Sequence, residues 1–224
     1  MSELYIIHGW TYDITRWNQT LEILKKKGLT VHMLNVPGLT SPSQKIWTID
    51  SYMDWANQNI PDGAIALGHS NGGRILLNLC AKNPSKLSHL ILLDAAGIYE
   101  PSLKKKVVKV VAKIGKPLRK VKIIDKVFHR LTGSTDYEKA PENMKRTLEN
   151  MLESDKHLDV TKVTTRTSIL WGEKDTITPV RHAKKLQQLL PNAKLKIFAN
   201  WPHSAYINYS EELAEAILEA VKNA

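Results

Sequence analysis

Short, largely apolar runs alternate along this chain with longer stretches in which apolar residues recur every three or four positions. Leu4-Tyr5-Ile6-Ile7, Val31 to Val36, Ala64-Ile65-Ala66-Leu67 and Leu87 to Leu93 are runs of the first kind, each followed closely by Gly, Pro or Asp. Runs that do not alternate with polar residues mark strands buried on both faces. The stretches between them have helical spacing. Trp17, Leu21 and Leu24 share a face between Ile14 and Lys27, and Gly28 closes that helix. Ile49, Tyr52, Met53 and Ala56 do the same ahead of Pro61-Asp62-Gly63, and Arg74 to Lys82 reads as a third helix.

From about Gly97 to Val163 the chain reads as helices without strands. Thr167 to Trp171 resumes the strand pattern, and Pro179 opens a helix at its first turn. Leu195 to Phe198 is the sixth strand. Ser210 caps a last helix that buries Leu213, Ile217 and Val221. Strands joined by helices predict an α/β fold with a doubly wound, mostly parallel sheet of about six strands. The core is then residues 1–97 and 164–224, and 98–163 is a helical insertion after the fourth strand. Such sheets bind ligands beyond the carboxyl ends of their strands, where strand order reverses. His8, Ser70, Asp94, Asp175 and His203 all fall just past strand ends.

Composition narrows this picture. A chain of 224 residues suits one domain. No apolar run reaches the length of a membrane helix. Met1-Ser2-Glu3 leads directly into the first strand, which predicts no signal peptide. The single cysteine, Cys80, lies in a helical apolar pattern and is expected in the core of a protein from a reducing compartment. The expected location is cytoplasmic.

The chemistry centres on Gly68-His69-Ser70-Asn71-Gly72-Gly73, set between the third strand and its helix. A serine between glycines at a strand-to-helix turn is the pattern of a nucleophile elbow, in which the serine takes a strained backbone and its neighbours must be small. A serine hydroxyl needs a base to take its proton, usually a histidine oriented by a carboxylate. Asp175, four residues after the fifth strand, and His203, five after the sixth, supply them in the order Ser, Asp, His. Asp94 also follows a strand and competes for the acid position. His157 and His182 compete with His203 but read as surface residues, and His8 and His69 read as groups that position backbone. No histidine pair or Cys-x-x-Cys has metal-ligand spacing, and the elbow lacks the ending of a phosphate loop, so neither a metal nor a cofactor is expected.

These pieces together resemble a lid-bearing serine hydrolase of the α/β-hydrolase superfamily. The resemblance rests on His8-Gly9-Trp10, Pro37-Gly38, the elbow, Leu92-Leu93-Asp94, Trp171-Gly172-Glu173-Lys174-Asp175 with Pro179, and His203. It implies Ser70 as nucleophile, His203 as base and Asp175 as acid, with the backbone N–H groups of Trp10 and Asn71 as oxyanion hole. It further implies hydrolysis of a carboxylic ester or related acyl compound through an acyl-enzyme. The same triad supports C–C bond hydrolysis or a perhydrolase-type reaction, and the fold can also serve as a non-catalytic ligand-binding or lipid-surface module. The chain departs from the family's pattern in three ways. It lacks the antiparallel edge strands that open many members, Pro202 precedes the base, and the residue after Ser70 is polar.

Charge adds one more feature. The net charge is +10, yet residues 101–133 hold eleven of the 32 Lys/Arg and one of the 22 acidic residues, so the rest of the chain is balanced. Three amphipathic helices are expected in the insertion, the first with a basic outer face, the second carrying Leu118, Val121, Ile124, Val127, Phe128 and Leu131, and the third opened by Pro141 with Met144, Leu148, Met151 and Leu152 inward. They predict a lid over the crevice. Its charge is read as a solvated face, as a field that draws an anionic small-molecule acyl substrate, or as a contact with an anionic membrane surface. Nucleic acid is not an expected partner, because the basic stretch lacks interleaved aromatics.

Overall fold

The computed structural model of the protein describes residues 2–99 and 141–224. Six parallel strands form one sheet: β1 (Glu3–Ile7), β2 (Thr30–Met33), β3 (Ala64–His69), β4 (Leu87–Leu93), β5 (Thr167–Gly172) and β6 (Ala193–Phe198). Their order is β2-β1-β3-β4-β5-β6, so the direction of winding reverses between β1 and β3. Helices α1 (Asn18–Lys26), α2 (Ile49–Asn59), α3 (Asn71–Lys82), α4 (Glu142–Ser154), α5 (Arg181–Leu189), α6 (Ala205–Asn208) and α7 (Ser210–Lys222) pack around it. The doubly wound, mostly parallel six-stranded sheet expected from the pattern is the observed fold.

Each face of the sheet carries its own core, which is why the inner strands are largely apolar, while the edge strands β2 and β6 carry polar residues such as His32, Lys194 and Lys196. On one side Leu4, Ile6, Leu67, Ile91 and Leu93 meet Leu24 of α1 and Leu213, Ile217 and Val221 of α7. On the other, Ile7, Ala66, Leu90 and Leu92 meet Tyr52 and Met53 of α2 and Ile75, Leu76 and Leu79 of α3. Full burial of one such leucine or isoleucine contributes about 1.5–3 kcal/mol. Cys80 is a buried free thiol on α3, pushed up to about 12 by burial.

The strand ends are in register. Ile7 pairs with Gly68 and Gly68 with Leu92, while Leu93 pairs with Leu170 and Gly172 with Phe198. That alignment brings the residues just past β1, β3, β4, β5 and β6 to one edge.

Several local expectations shift. The second strand ends at Met33 rather than Val36, because the chain there turns to let Thr40 Oγ1 accept from the Val36 N–H at 2.9 Å. The helix after Pro179 begins two residues later, at Arg181. Ser210 is the first residue of α7 rather than its cap; its hydroxyl donates to the Tyr206 carbonyl at 2.9 Å. His182 is buried on α5, not solvated, because α5 turns that face to the sheet together with Ala183 and Leu186. His157 is exposed as expected.

Of the insertion, the first two helices lie outside the described residues. The third forms α4 directly after Pro141, and Met144, Leu148 and Met151 are buried in the same core as α2 and α3. Thr147 Oγ1 accepts from the Trp47 N–H at 2.9 Å, and Asn150 donates to the Trp47 carbonyl at 3.0 Å, fastening α4 to the loop before α2. No helix among the described residues is long and apolar enough to cross a membrane.

Candidate active site

Ser70 stands between β3 and α3 with φ 51° and ψ −116°, the strained backbone expected of an elbow. The packing that holds it there leaves no room for side chains. A Cβ on Gly72 would lie 2.0 Å from the Ile7 carbonyl oxygen, and one on Gly68 would lie 2.6 Å from Gly73 Cα. Ser70 N–H donates to the Leu93 carbonyl at 3.1 Å, and its carbonyl accepts from Ala96 at 2.9 Å. The serine is thereby fixed on two sides.

The hydroxyl meets its partners from two other strand ends. His203 Nε2 lies 3.0 Å from Ser70 Oγ, and His203 Nδ1 lies 2.8 Å from Asp175 Oδ2. Asp175 is oriented in turn by the turn that follows it. Its Oδ1 accepts from the N–H groups of Ile177 (2.7 Å) and Thr178 (2.9 Å), and its Oδ2 accepts from Thr178 Oγ1 at 2.6 Å. Burial works to raise the Asp175 carboxyl. The bond and charge of His203, with the Thr178 hydroxyl and the Ile177 N–H, outweigh it and hold the group below the usual carboxylate range. The structure thus brings Ser70, His203 and Asp175 together, all buried, from three separate stretches of chain.

Trp10 lies in the turn after β1 and Asn71 opens α3 directly after Ser70, and both are buried. Their backbone N–H groups donate to no acceptor among the described residues. The turn that carries Trp10 is held by His8, whose Nδ1 lies 2.7 Å from the Gly9 carbonyl and whose Nε2 lies 2.8 Å from Thr40 Oγ1. Burial pushes the His8 imidazole down to about 4, against the pull of the Gly9 carbonyl, so it stays neutral. His69 has a matching task. Its Nε2 lies 2.9 Å from the His203 carbonyl, so the protonated nitrogen donates to the loop that presents the base. Burial, with help from His203, takes His69 down to about 3.

Two groups go beyond the sequence expectations. Arg74, one turn into α3, donates to Asn71 Oδ1 at 2.6 Å and forms a forked pair with Asp155 at 2.7 and 2.9 Å. A basic residue on an apolar helix four positions after the serine is the signal that points to it. Thr178 is the other. Its hydroxyl touches Asp175, the Asp94 carbonyl and His203 Nδ1 at once, and only the Thr three residues after an Asp hints at that role. Asp94, the competitor for the acid position, does not take the histidine. Its Oδ1 accepts from the Gly172 N–H at 2.8 Å instead.

Beside this edge lies a cavity of about 460 Å³, lined by Tyr12, Thr40, Ser41, Asn143 and Met144 among others. Ser70, Asp175 and His203 do not line it.

Comparison with known proteins gives the family and the fold. Residues 4–208 match the family model described as the alpha/beta hydrolase fold. The pimeloyl-[acyl-carrier protein] methyl ester esterase of Nitrosomonas europaea is 20% identical over 94% of this chain and 92% of its own length. The enzyme of the same name from Legionella pneumophila (strain Paris) is 23% identical over 98% and 95%. Among solved structures, an alpha/beta hydrolase from lagoon sediments of Mar Chica, Morocco, has a TM-score of 0.69 at 20% identity, covering 99% of this chain and 91% of its own. A thermophilic esterase from Thermogutta terrifontis has a TM-score of 0.69 at 18% identity, covering 100% and 90%.

Proposed function

The chain belongs to the alpha/beta hydrolase fold family and is a hydrolase, and from that premise we propose that it is a serine esterase working through Ser70, His203 and Asp175. The observation that carries the reading is the relay of 3.0 and 2.8 Å from Ser70 Oγ through His203 to Asp175, built on a serine at φ 51°.

In this reading Ser70 Oγ attacks the ester carbonyl while His203 Nε2 takes its proton. Asp175 holds the Nδ1–H tautomer and stabilises the imidazolium that forms. The N–H groups of Trp10 and Asn71 receive the oxyanion, each typically worth about 10²–10³ in rate. His203 then gives its proton to the departing alcohol, leaving an acyl group on Ser70. Water, deprotonated by the same imidazole, hydrolyses that acyl-enzyme. No metal or cofactor enters the sequence of steps.

The substrate class we propose is a small carboxylic ester of an acyl chain. The curated relatives, named as esterases of a carrier-bound methyl ester, support it. The basic stretch 101–133 supports a substrate with anionic character, because its sequence holds eleven Lys/Arg and one acidic residue. Residues 98–163 would then form the cap of the site, and 1–97 with 164–224 the catalytic core. The one cysteine of the sequence, a buried free thiol, supports work in a reducing compartment, which we propose is the cytoplasm. A contact of 101–133 with anionic lipid is the secondary role we assign to that stretch; failure to sediment with anionic vesicles at low salt removes it.

Labelling with a fluorophosphonate probe tests the esterase reading. An adduct on Ser70 of the folded protein, with p-nitrophenyl ester turnover lost in Ser70→Ala, is the expected result. Unlabelled Ser70 in folded protein, or turnover that survives Ser70→Ala, overturns it.

A further inference from the structure

Among the described residues, Asp94 is a carboxyl at the site that the relay does not use. It ends β4 with φ 44°, a left-handed conformation that Asp and Asn tolerate better than most residues, and it is completely buried. One of its oxygens is accounted for: Oδ1 accepts from the Gly172 N–H at 2.8 Å. The other, Oδ2, is buried and receives no N–H or O–H from the protein. An ionised oxygen left like this is strongly disfavoured, and native proteins avoid it.

Another carboxyl belongs to the same cluster: Thr178 Oγ1 reaches both the Asp94 carbonyl oxygen, at 2.9 Å, and Asp175 Oδ2, at 2.6 Å. The charge of Asp175 and a side-chain hydrogen bond with it both act to raise the Asp94 carboxyl. Two carboxylates accept and cannot donate, so a bond between them needs one proton. Asp175 is the wrong place for it. Its two oxygens already receive two backbone N–H groups, the Thr178 hydroxyl and His203 Nδ1, all of which favour the anion. Asp94 has one donor and complete burial.

We propose that Asp94 is a neutral carboxylic acid in the native protein, that Oδ2 carries the proton, and that this O–H donates to the Asp175 carboxylate. Asp94 is then a positioning residue that acts on the base through Asp175. The inference rests on the reading of Ser70, His203 and Asp175 as the reacting set. Its value to that set is electrostatic. Polar atoms of His69, Asp94 and His203 lie within 4.8 Å of one another. A second negative charge at that range would favour the imidazolium and withhold the base that Ser70 needs. A neutral acid adds a fifth donor to Asp175 while leaving one negative charge behind His203.

Among the described residues, the other titratable groups placed around Asp94 include no lysine or arginine. Asp175 comes from the turn after β5, His203 from the loop after β6, His69 from the end of β3 and Tyr206 from α6. Burial and the charge of Asp175 both push Asp94 well above the usual carboxylate range, and the Gly172 N–H opposes them.

The test compares Asp94→Asn with the wild-type protein by denaturant unfolding across pH. Asparagine keeps an acceptor for Gly172, a donor for Asp175 and tolerance of positive φ, without a proton to release. The unfolded wild-type chain releases that proton above its ordinary value of about 3.9 and the native state keeps it. The variant's folding constant should therefore gain on the wild type by about tenfold per pH unit above that value, up to the native value of Asp94. Below it, where Asp94 is protonated in both states, the difference should be flat and reports geometry alone. A difference that stays flat throughout, or moves the other way, overturns the proposal.

Carbon-13 spectra of the wild-type protein give a readout that does not require the variant to fold. The Asp94 carboxyl carbon should stay at its protonated position at neutral pH, and an ionised position overturns the proposal. Where turnover is measured, the acid limb of kcat/KM should be unchanged in Asp94→Asn. A shift to lower pH by about one unit or more would mean that a full charge had been removed beside His203. The unfolding and carbon-13 measurements need no catalysis, so failure of the esterase reading in the Ser70 experiments is distinguishable from failure here.

Discussion

Arg74 holds Asp155 by two nitrogens, at 2.7 and 2.9 Å, and thereby ties the helix leaving the elbow to the end of α4. The forked geometry is available to Arg and not to Lys, and both side chains are largely withdrawn from water, 5% and 12% exposed. A third donor of the same guanidinium reaches Asn71 Oδ1, so the residue proposed to bind the oxyanion is held through the same contact. The insertion and the elbow are mechanically one unit here.

Arg74→Ala should therefore cost about 2–4 kcal/mol, below the value for a fully enclosed pair because Asp155 retains some access to water. Arg74→Lys should recover only part, since the ammonium cannot fork. Urea unfolding midpoints measure both. A loss under about 0.5 kcal/mol in Arg74→Ala would place this pair with ordinary surface ion pairs.

The glycines of the elbow make a sharper contrast. A Cβ at Gly72 would sit 2.0 Å from the Ile7 carbonyl oxygen, and backbone cannot move aside without displacing β1 from the sheet. At Gly63 a Cβ would meet nothing within 4 Å, although φ is 74°. Gly72→Ala should thus cost about 3 kcal/mol or more or prevent folding, while Gly63→Ala should cost about 1–2 kcal/mol from backbone strain alone. Thermal unfolding of the two variants side by side checks the order.

Most of this architecture was legible because it depends on local pattern. Apolar runs fixed six strands, and glycines two positions either side of Ser70 marked the elbow. Chain order and strand ends pointed to Asp175 and His203; Asp94 fits the same rule, the Trp171-Gly172-Glu173-Lys174-Asp175 context favoured Asp175, and it is Asp175 that contacts His203. What sequence could not show lies in contacts across the chain. Thr178 serves Asp94, Asp175 and His203 through one hydroxyl. His182 looked like a solvated helix residue because its burial depends on which face α5 presents to the sheet. Val36 looked like strand because an apolar residue in a tight turn and one in a strand have the same signature, and the Thr40 bond decides between them.

Two buried histidines set an acid limit to stability. His69 and His8 are held neutral, at about 3 and about 4, whereas an unfolded histidine titrates near 6.5. For a group whose native value is depressed in this way, the unfolded state binds the extra proton, so stability is present above about 6.5 and falls as pH drops below it. Each contributes a slope of about 1.4 kcal/mol per pH unit, down to its own native value. Asp94, if neutral, pulls the other way between the carboxylate range and its native value, so difference curves are the right measure. The stability gap between wild type and His69→Gln should change by about 1.4 kcal/mol per unit between pH 6 and pH 4, with the variant losing less on acidification. A gap independent of pH would mean that His69 titrates normally in the fold.

Asp175 provides the decisive test of which carboxyl orients the base. Its Oδ2 is 2.8 Å from His203 Nδ1, whereas Asp94 spends Oδ1 on the Gly172 N–H. In Asp175→Asn the amide can present its NH₂ to Nδ1, and the imidazole then adopts the tautomer whose Nε2 carries the hydrogen and cannot accept from Ser70. Loss of that orientation is worth about 10⁴ in kcat in a Ser-His-Asp relay. Asp175→Asn should therefore lower ester turnover by about 10³–10⁴, with KM little changed, because the carboxylate acts on the imidazolium formed in the transition state rather than on bound substrate. The fold should also lose its dependence on Asp175 ionisation. With its native value depressed, Asp175 contributes stability that is present above about 3.9 and lost as pH falls through the lower native value, and asparagine abolishes that component. If turnover in Asp175→Asn falls less than about tenfold while Asp94→Asn abolishes it, the acid of the relay is Asp94 and the assignment of Asp175 fails.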